Sequence, residues 1–195
     1  MITQIAAPAA EPVSLDEAKA HLRIDGTAED ALISALISAA RLHVEAATGR
    51  VLCTQVWEEQ FDAFPSDTAF VELPKPPLAS VQQVAWLDAA GTMQQALLAD
   101  FQTIAPAGPF AQPGSVGPKS GKSWPVGLSD QPLSARIRFV AGYGDAAAVP
   151  APLKAALLLV LGDLYQNREA QILGTIVSDN ATVKSLLAPF RVFYA

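Results

Sequence analysis

D-A-L-I-S-A-L-I-S-A-A-R-L-H-V-E-A-A-T-G-R, residues 30–50, is the stretch on which the fold turns. Ile33, Ile37, Ala40, Val44 and Ala47 recur at the three-and-four spacing that lines one side of an α-helix. Thr27 is the expected N-cap, and Glu29 and Asp30 put negative charge at the positive end of the helix dipole. Thr48-Gly49 supplies the stop. The spacing therefore predicts a long helix over 28–48. Upstream, Ser14-Leu15-Asp16-Glu17 is a capping box, in which Ser14 and Glu17 satisfy each other's free amides, so a shorter helix opens there and ends near Gly26.

From Val51 the texture changes to short alternating runs broken by Pro and Gly. Residues 54–61 (T-Q-V-W-E-E-Q-F), 70–73 (F-V-E-L), 81–87 (V-Q-Q-V-A-W-L) and 135–140 (A-R-I-R-F-V) alternate as strands do. Asp88 to Thr92 reads as a hairpin turn leading into Met93. Residues 105–132 carry six prolines and five glycines, a loop long enough to be either functional or mobile. Pro150-Ala151-Pro152 opens a third helix, with proline in its favoured first turn. That helix, residues 150–169, is apolar on nearly every side, so a small bundle covers only part of it and the remainder points to a subunit contact. The expected fold class is α+β: a small helical bundle (1–50 and 148–195) holding a β-rich insertion (51–147), with an extended C-terminal tail.

That tail, V-K-S-L-L-A-P-F-R-V-F-Y-A, is the other informative stretch. Chain ends are ordinarily small and polar. This one sets Leu, Phe, Val and Tyr around Lys184 and Arg191, the composition of a buried anchor. It is either a segment folded back on its own core or a contact for a partner.

Of the 195 residues, 51% are hydrophobic and only 16% charged, against about 25% charged in an average soluble domain. The net charge of −6 and thirteen scattered Lys and Arg argue against a groove that holds nucleic acid by phosphate neutralisation. A single cysteine, Cys53, excludes an internal disulfide and fits a reducing compartment. No run reaches the roughly 20 apolar residues of a membrane span, and no signal peptide is evident. These features predict a soluble protein that begins in the cytoplasm, with no membrane association.

No chemistry-bearing constellation emerges, so no enzyme, no metal and no cofactor is expected. His21 and His43 lack ligand-spaced companions. Cys53 has no oxyanion loop after it. Gly142-Tyr143-Gly144-Asp145 follows a strand but lacks the further glycines and lysine of a phosphate loop; it reads as a turn. Lys119-Ser120-Gly121-Lys122-Ser123-Trp124 is the one locally basic piece, expected to be a mobile solvated loop.

The order of these pieces resembles the head–tail connector (adaptor) proteins of long-tailed bacteriophages and gene transfer agents, in the branch with a β-rich insertion. The resemblance rests on Pro12–Asp25, Asp30–Arg50, V-A-G-Y-G-D (Val140–Asp145), Val149–Ala170 and L-L-A-P-F-R (Leu186–Arg191). It implies a structural ring, of twelve copies in this family, beneath the capsid portal, extending the DNA channel and offering a platform for the stopper and tail. Double-stranded DNA would pass without sequence-specific binding, and the chain would act in the neck after assembly in the host cytoplasm. The resemblance further implies a C-terminal portal anchor, here Leu187, Pro189, Phe190, Arg191, Val192, Phe193 and Tyr194. It also implies helices packed side by side around the ring, with Ile33, Ile37, Val44, Leu157, Leu158 and Leu161 at the subunit interface. Other readings are another neck component, such as a stopper or tail-completion protein, and a small-molecule-binding domain built on the β region.

Overall fold

The structure is a computed structural model of the 195-residue chain, describing residues 1–167 and 180–193. It divides into two units: Met1–Ala9 with Thr54–Tyr143, and Ala10–Cys53 with Gly144–Ala195.

The first unit is β. Its larger sheet is antiparallel, in the order β1 (Ile2–Ala6), β2 (Gln55–Phe61), β8 (Ala135–Ala141), β4 (Leu78–Leu87), β5 (Met93–Gln95). A three-stranded sheet follows the order β3 (Val71–Leu73), β7 (Gly114–Pro118), β6 (Phe101–Ile104). The alternation read in 135–140 is literal: along β8, Ala135, Ile137, Phe139 and Ala141 are buried and the residues between them half-buried. Gly114 on β7 marks a close approach to β4, since a Cβ there would stand 2.6 Å from Leu78 Cβ.

Two expectations change in this unit. Residues 1–9 join the β unit rather than the helical part, because Ile2–Ala6 pairs along β2, Ile2 opposite Glu59 and Gln4 opposite Trp57. The junctions accordingly fall at Cys53/Thr54 and Tyr143/Gly144 instead of 50/51 and 147/148. The 105–132 segment is mostly exposed but tied to the core at two places. It contains β7, and Trp124, 3% exposed, stacks on Phe64 at 4.8 Å and donates its Nε1 hydrogen to the Ala69 carbonyl at 2.9 Å. Its lysines are engaged as well: Lys119 Nζ donates to the Ala99 carbonyl and Lys122 pairs with Asp100 at 2.9 Å.

The second unit is helical. α1 (Leu15–Leu22) begins in the expected capping box, with Ser14 Oγ accepting from the Glu17 amide and the Glu17 carboxylate accepting from the Ser14 amide. It ends earlier than Gly26, because Arg23 turns into the left-handed region at φ 58°. α2 (Asp30–Thr48) has Glu29 rather than Thr27 at its N-cap, with no side-chain cap, and Gly49 at φ 73° closes it as expected. α3 (Ala151–Gln166) follows Pro150. Before it, Gly142 and Gly144, both at positive φ, make the turn read from the sequence, and Asp145 accepts from the Ala147 and Ala148 amides. The tail holds a fourth helix, α4 (Ala181–Leu187), capped by Asn180, whose side-chain oxygen accepts from the Thr182 and Val183 amides. The linker read over 172–180 lies outside the described residues except for Asn180.

α2 carries its charges inside. Arg41 (6% exposed) pairs with Glu11 through Nε at 2.7 Å and with Glu45 (8% exposed) through Nη1 at 2.9 Å. Among the described residues α2 alone is long and apolar enough to cross a membrane by length and composition. The buried ion pair shows it instead as a core helix of this unit, since a charged pair is set where the protein, not lipid, surrounds it.

Candidate interaction site in the helical unit

The C-terminal segment is tied to the end of α2 by groups that any helix leaves unsatisfied. The last carbonyls of a helix have no partner within it and carry the negative end of the dipole. Here the Val192 amide donates to the Thr48 carbonyl at 2.9 Å, and Arg191 Nε donates to the Ala47 carbonyl at 3.2 Å. Arg50, 1% exposed, donates in return from Nε to the Phe190 carbonyl at 2.5 Å. Thr48 Oγ1 donates to the Val44 carbonyl and accepts from the Arg50 amide, which fixes the turn from which Arg50 reaches out.

α4 brings Val183 and Leu187, four apart, onto its inner side, and a 3-10 turn through Pro189 swings Phe190 in after them. All three are 5% exposed or less. Beyond this turn Val192 is half-buried and Phe193 stands 83% exposed. The seven residues assigned to a portal anchor thus separate. Leu187 and Phe190 are core residues of their own unit. Pro189 and Arg191 are exposed, Arg191 with its Nε engaged, and Tyr194 lies outside the described residues. Leu and Phe spaced for a core and Phe spaced for a contact look alike in one short apolar tail, so the sequence left both readings open.

The residues assigned to a subunit interface also face inward. Ile33, Ile37, Val44, Leu157 and Leu161 are 3% exposed or less, and Leu158 is half-buried. What faces out along α2 is the adjacent apolar row, which the sequence reading missed: Leu32, Ala35, Ala39, Leu42 and Ala46. The signal was present, as a second helical period one or two residues before the first. In a helix apolar on both sides, period alone does not say which row is inside.

α2, α3 and α4 border a groove of about 770 Å³, with His43 and Ala47, Val160 and Leu164, Leu187 and Arg191 among its lining residues. Asn180 donates to the Asp163 carboxylate at its edge. Cys53 is buried, and burial first, then Glu11 and Glu45, push its thiol up to about 11, too high for a nucleophile at neutral pH. No group of three His, Cys, Asp or Glu side chains converges among the described residues.

The comparisons with known proteins agree in kind. Phage gp6-like head–tail connector proteins match residues 12–88. Comparison with curated proteins gave no match. Among solved structures, a chain from the neck of an empty gene transfer agent particle, determined with C6 symmetry, superposes with a TM-score of 0.78 at 21% identity. One from the virion of a native gene transfer agent particle gives 0.79 at 21%, and one from a native neck with C12 symmetry gives 0.79 at 20%. Each covers 100% of this chain and 97% of its own. At such identity the likeness is one of fold, and it runs from end to end.

Proposed function

Residues 12–88 match the phage gp6-like head–tail connector family, and on that premise we propose that this chain is a structural head–tail adaptor of a phage-like neck, with no catalytic role. The observation that carries the reading is the extent of the likeness: helical unit and β unit together reproduce the fold of a neck protein over the entire chain. The β unit, Thr54–Tyr143 with the N-terminal strand, is then the insertion, and the helical unit is the connector core. Several copies form a ring through which double-stranded DNA passes. A charge-poor, net-negative chain suits that passage, because it offers DNA few phosphate contacts.

The ring docks on the portal protein through the end of the C-terminal segment, with Pro189, Arg191, Val192, Phe193 and Tyr194 as contact residues. Leu187 and Phe190 hold the segment to its own unit. Burial supports setting Leu187 and Phe190 apart from Phe193, since a side chain 3% exposed is already occupied and one 83% exposed is not. The opposite side of the ring receives the stopper or tail-side protein, and assembly takes place in the host cytoplasm.

The test is light scattering after size exclusion, on the protein alone and mixed with the portal protein encoded beside it. A complex of fixed stoichiometry, lost in Phe193→Ser and kept in an exposed-site control such as Leu97→Ser, is the expected result. A protein that stays uncomplexed throughout overturns the portal-docking reading and leaves the stopper as the better assignment.

A further inference from the structure

Asn180 and Arg191 mark the two ends of the groove bordered by α2, α3 and α4. At one end Asn180, the cap of α4, donates to the Asp163 carboxylate of α3 at 3.2 Å. At the other, Arg191 donates from Nε to the Ala47 carbonyl of α2 at 3.2 Å. Between these ends the lining is apolar. Val160, Val183 and Leu187 are buried, and Leu164 is left 37% exposed. A cleft of about 770 Å³ with a leucine open to water on its lining has the size and character of a binding groove.

The charges along it are uneven. Arg191 commits its Nε to Ala47, and its two terminal nitrogens have no carboxylate partner among the described residues. His43, one helical turn before Ala47, is exposed beside it on the same lining, and Lys184 is a third basic group there. Asp163 is the one acid among the described lining residues, and it belongs to the Asn180 end. A chain of net charge −6 thus keeps a basic end on an apolar groove. A guanidinium fixed through Nε still presents a fork of donors, and a planar carboxylate meets such a fork with two parallel hydrogen bonds.

We propose that this groove seats a short amphipathic helix of another protein, with apolar side chains against Leu164 and Leu187 and an Asp or Glu at one end against Arg191. Charge complementarity selects that occupant. A nucleic acid strand would meet an apolar lining in place of a run of cations. A basic helix would bring like charge to Arg191 and Lys184. A wholly apolar segment would cover the guanidinium and give it no counter-charge. A helix laid between helices supplies what is needed, with apolar anchors three and four residues apart and a polar back left in water. The contact goes beyond the portal docking proposed above. The two share Arg191, but the groove does not use Phe193, so they are separable.

The test is a titration of the isotope-labelled full chain, followed through its amide resonances. One probe is an acetylated and amidated helical peptide of leucine, alanine and glutamate; the other is its twin with lysine in place of glutamate. The acidic peptide should shift Ala47, Leu164 and Leu187 saturably, and the basic twin should not. His43→Glu, at an exposed position, should keep the wild-type melting temperature, weaken the acidic peptide about tenfold and admit the basic one. Phe193→Ala should bind the acidic peptide as wild type does, so a failure of portal docking and a failure of this contact read out separately. No saturable shift from the acidic peptide, or equal shifts from both, overturns the proposal. So does saturable binding of dodecanoate without binding of the peptide, which would make the groove a lipid site. Groove resonances that move with protein concentration alone would assign it to a second copy and overturn the proposal as well. Peptide binding seen only after residues 168–179 are replaced by glycine and serine would assign it to that segment, with the same consequence.

Discussion

Arg50 donates from Nε to the carbonyl oxygen of Phe190, a buried hydrogen bond at 2.5 Å between residues 140 apart in sequence. It joins the residue just after the long helix to the turn just after the last one. A guanidinium held 1% exposed makes such a bond worth more than a neutral one. Arg50→Met is expected to destabilise the protein by about 2 kcal/mol. It should also speed tryptic cleavage after Lys184 and Arg191, measured by mass spectrometry of timed digests. Cleavage at the wild-type rate would show that the bond does not hold the segment.

Phe190 and Phe193 are three residues apart and should behave as opposites. Phe190 is 3% exposed, so Phe190→Ala is expected to cost about 3–5 kcal/mol in chemical denaturation. Phe193 is 83% exposed, so Phe193→Ala should leave the unfolding midpoint unchanged within error while weakening binding to the portal. A truncation removing everything from Phe190 onward confuses the two, because it deletes a core side chain together with the contact. Equal loss of stability from both single variants would contradict the division drawn here.

How far the sequence reached depends on whether the decisive contacts were local. The period of Ile33, Ile37 and Val44 gave α2 and its glycine stop, and the alternation of Ala135–Val140 gave β8, because each pattern reports on its own element. The first strand was not legible: I-T-Q-I-A pairs with residues fifty or more positions away, and nothing in five residues announces it. The burial of Arg41 is non-local in the same way, because Glu11, from outside the helix, completes its pairing. The C-terminal segment combined both difficulties, with a seven-residue helix too short for a period and a core contact made to Arg50.

Trp124 gives a sharp test of the Pro- and Gly-rich segment. Its ring lies flat on Phe64 at 4.8 Å and tilts against Phe101 at 5.1 Å. Trp124→Ala removes the largest side chain holding residues 105–132 down and should cost about 3–5 kcal/mol. Hydrogen exchange should rise through β6 and β7, where Phe101 pairs with Pro118, and remain unchanged in β2 and β8. An unchanged exchange pattern in β6 and β7 would return the segment to the status of a solvated loop.

Glu58 and Glu59 are neighbours on β2 with opposite titration. Burial works against ionisation of Glu58, but hydrogen bonds from Gln60 and Arg138 outweigh it and hold its pKa low. Among the described residues Glu59 has no such partners. Burial pushes it up to about 7 from an ordinary value of 4.5, the N-terminal ammonium pulls it down, Glu72 raises it further, and its Oε2 is buried without a hydrogen bond. The sign follows from which state holds the proton more tightly. Between pH 4.5 and about 7 the folded protein retains a proton that the unfolded chain has released. Whatever Glu59 contributes is thus fully present below that window, declines as pH rises through it, and is gone above it. Glu59→Gln should remove this decline, leaving wild type and variant similar at pH 4 and the variant more stable at pH 8. The measurement is denaturant unfolding of both proteins at a series of pH values. Parallel curves across the window would mean that Glu59 titrates as an ordinary exposed carboxylate.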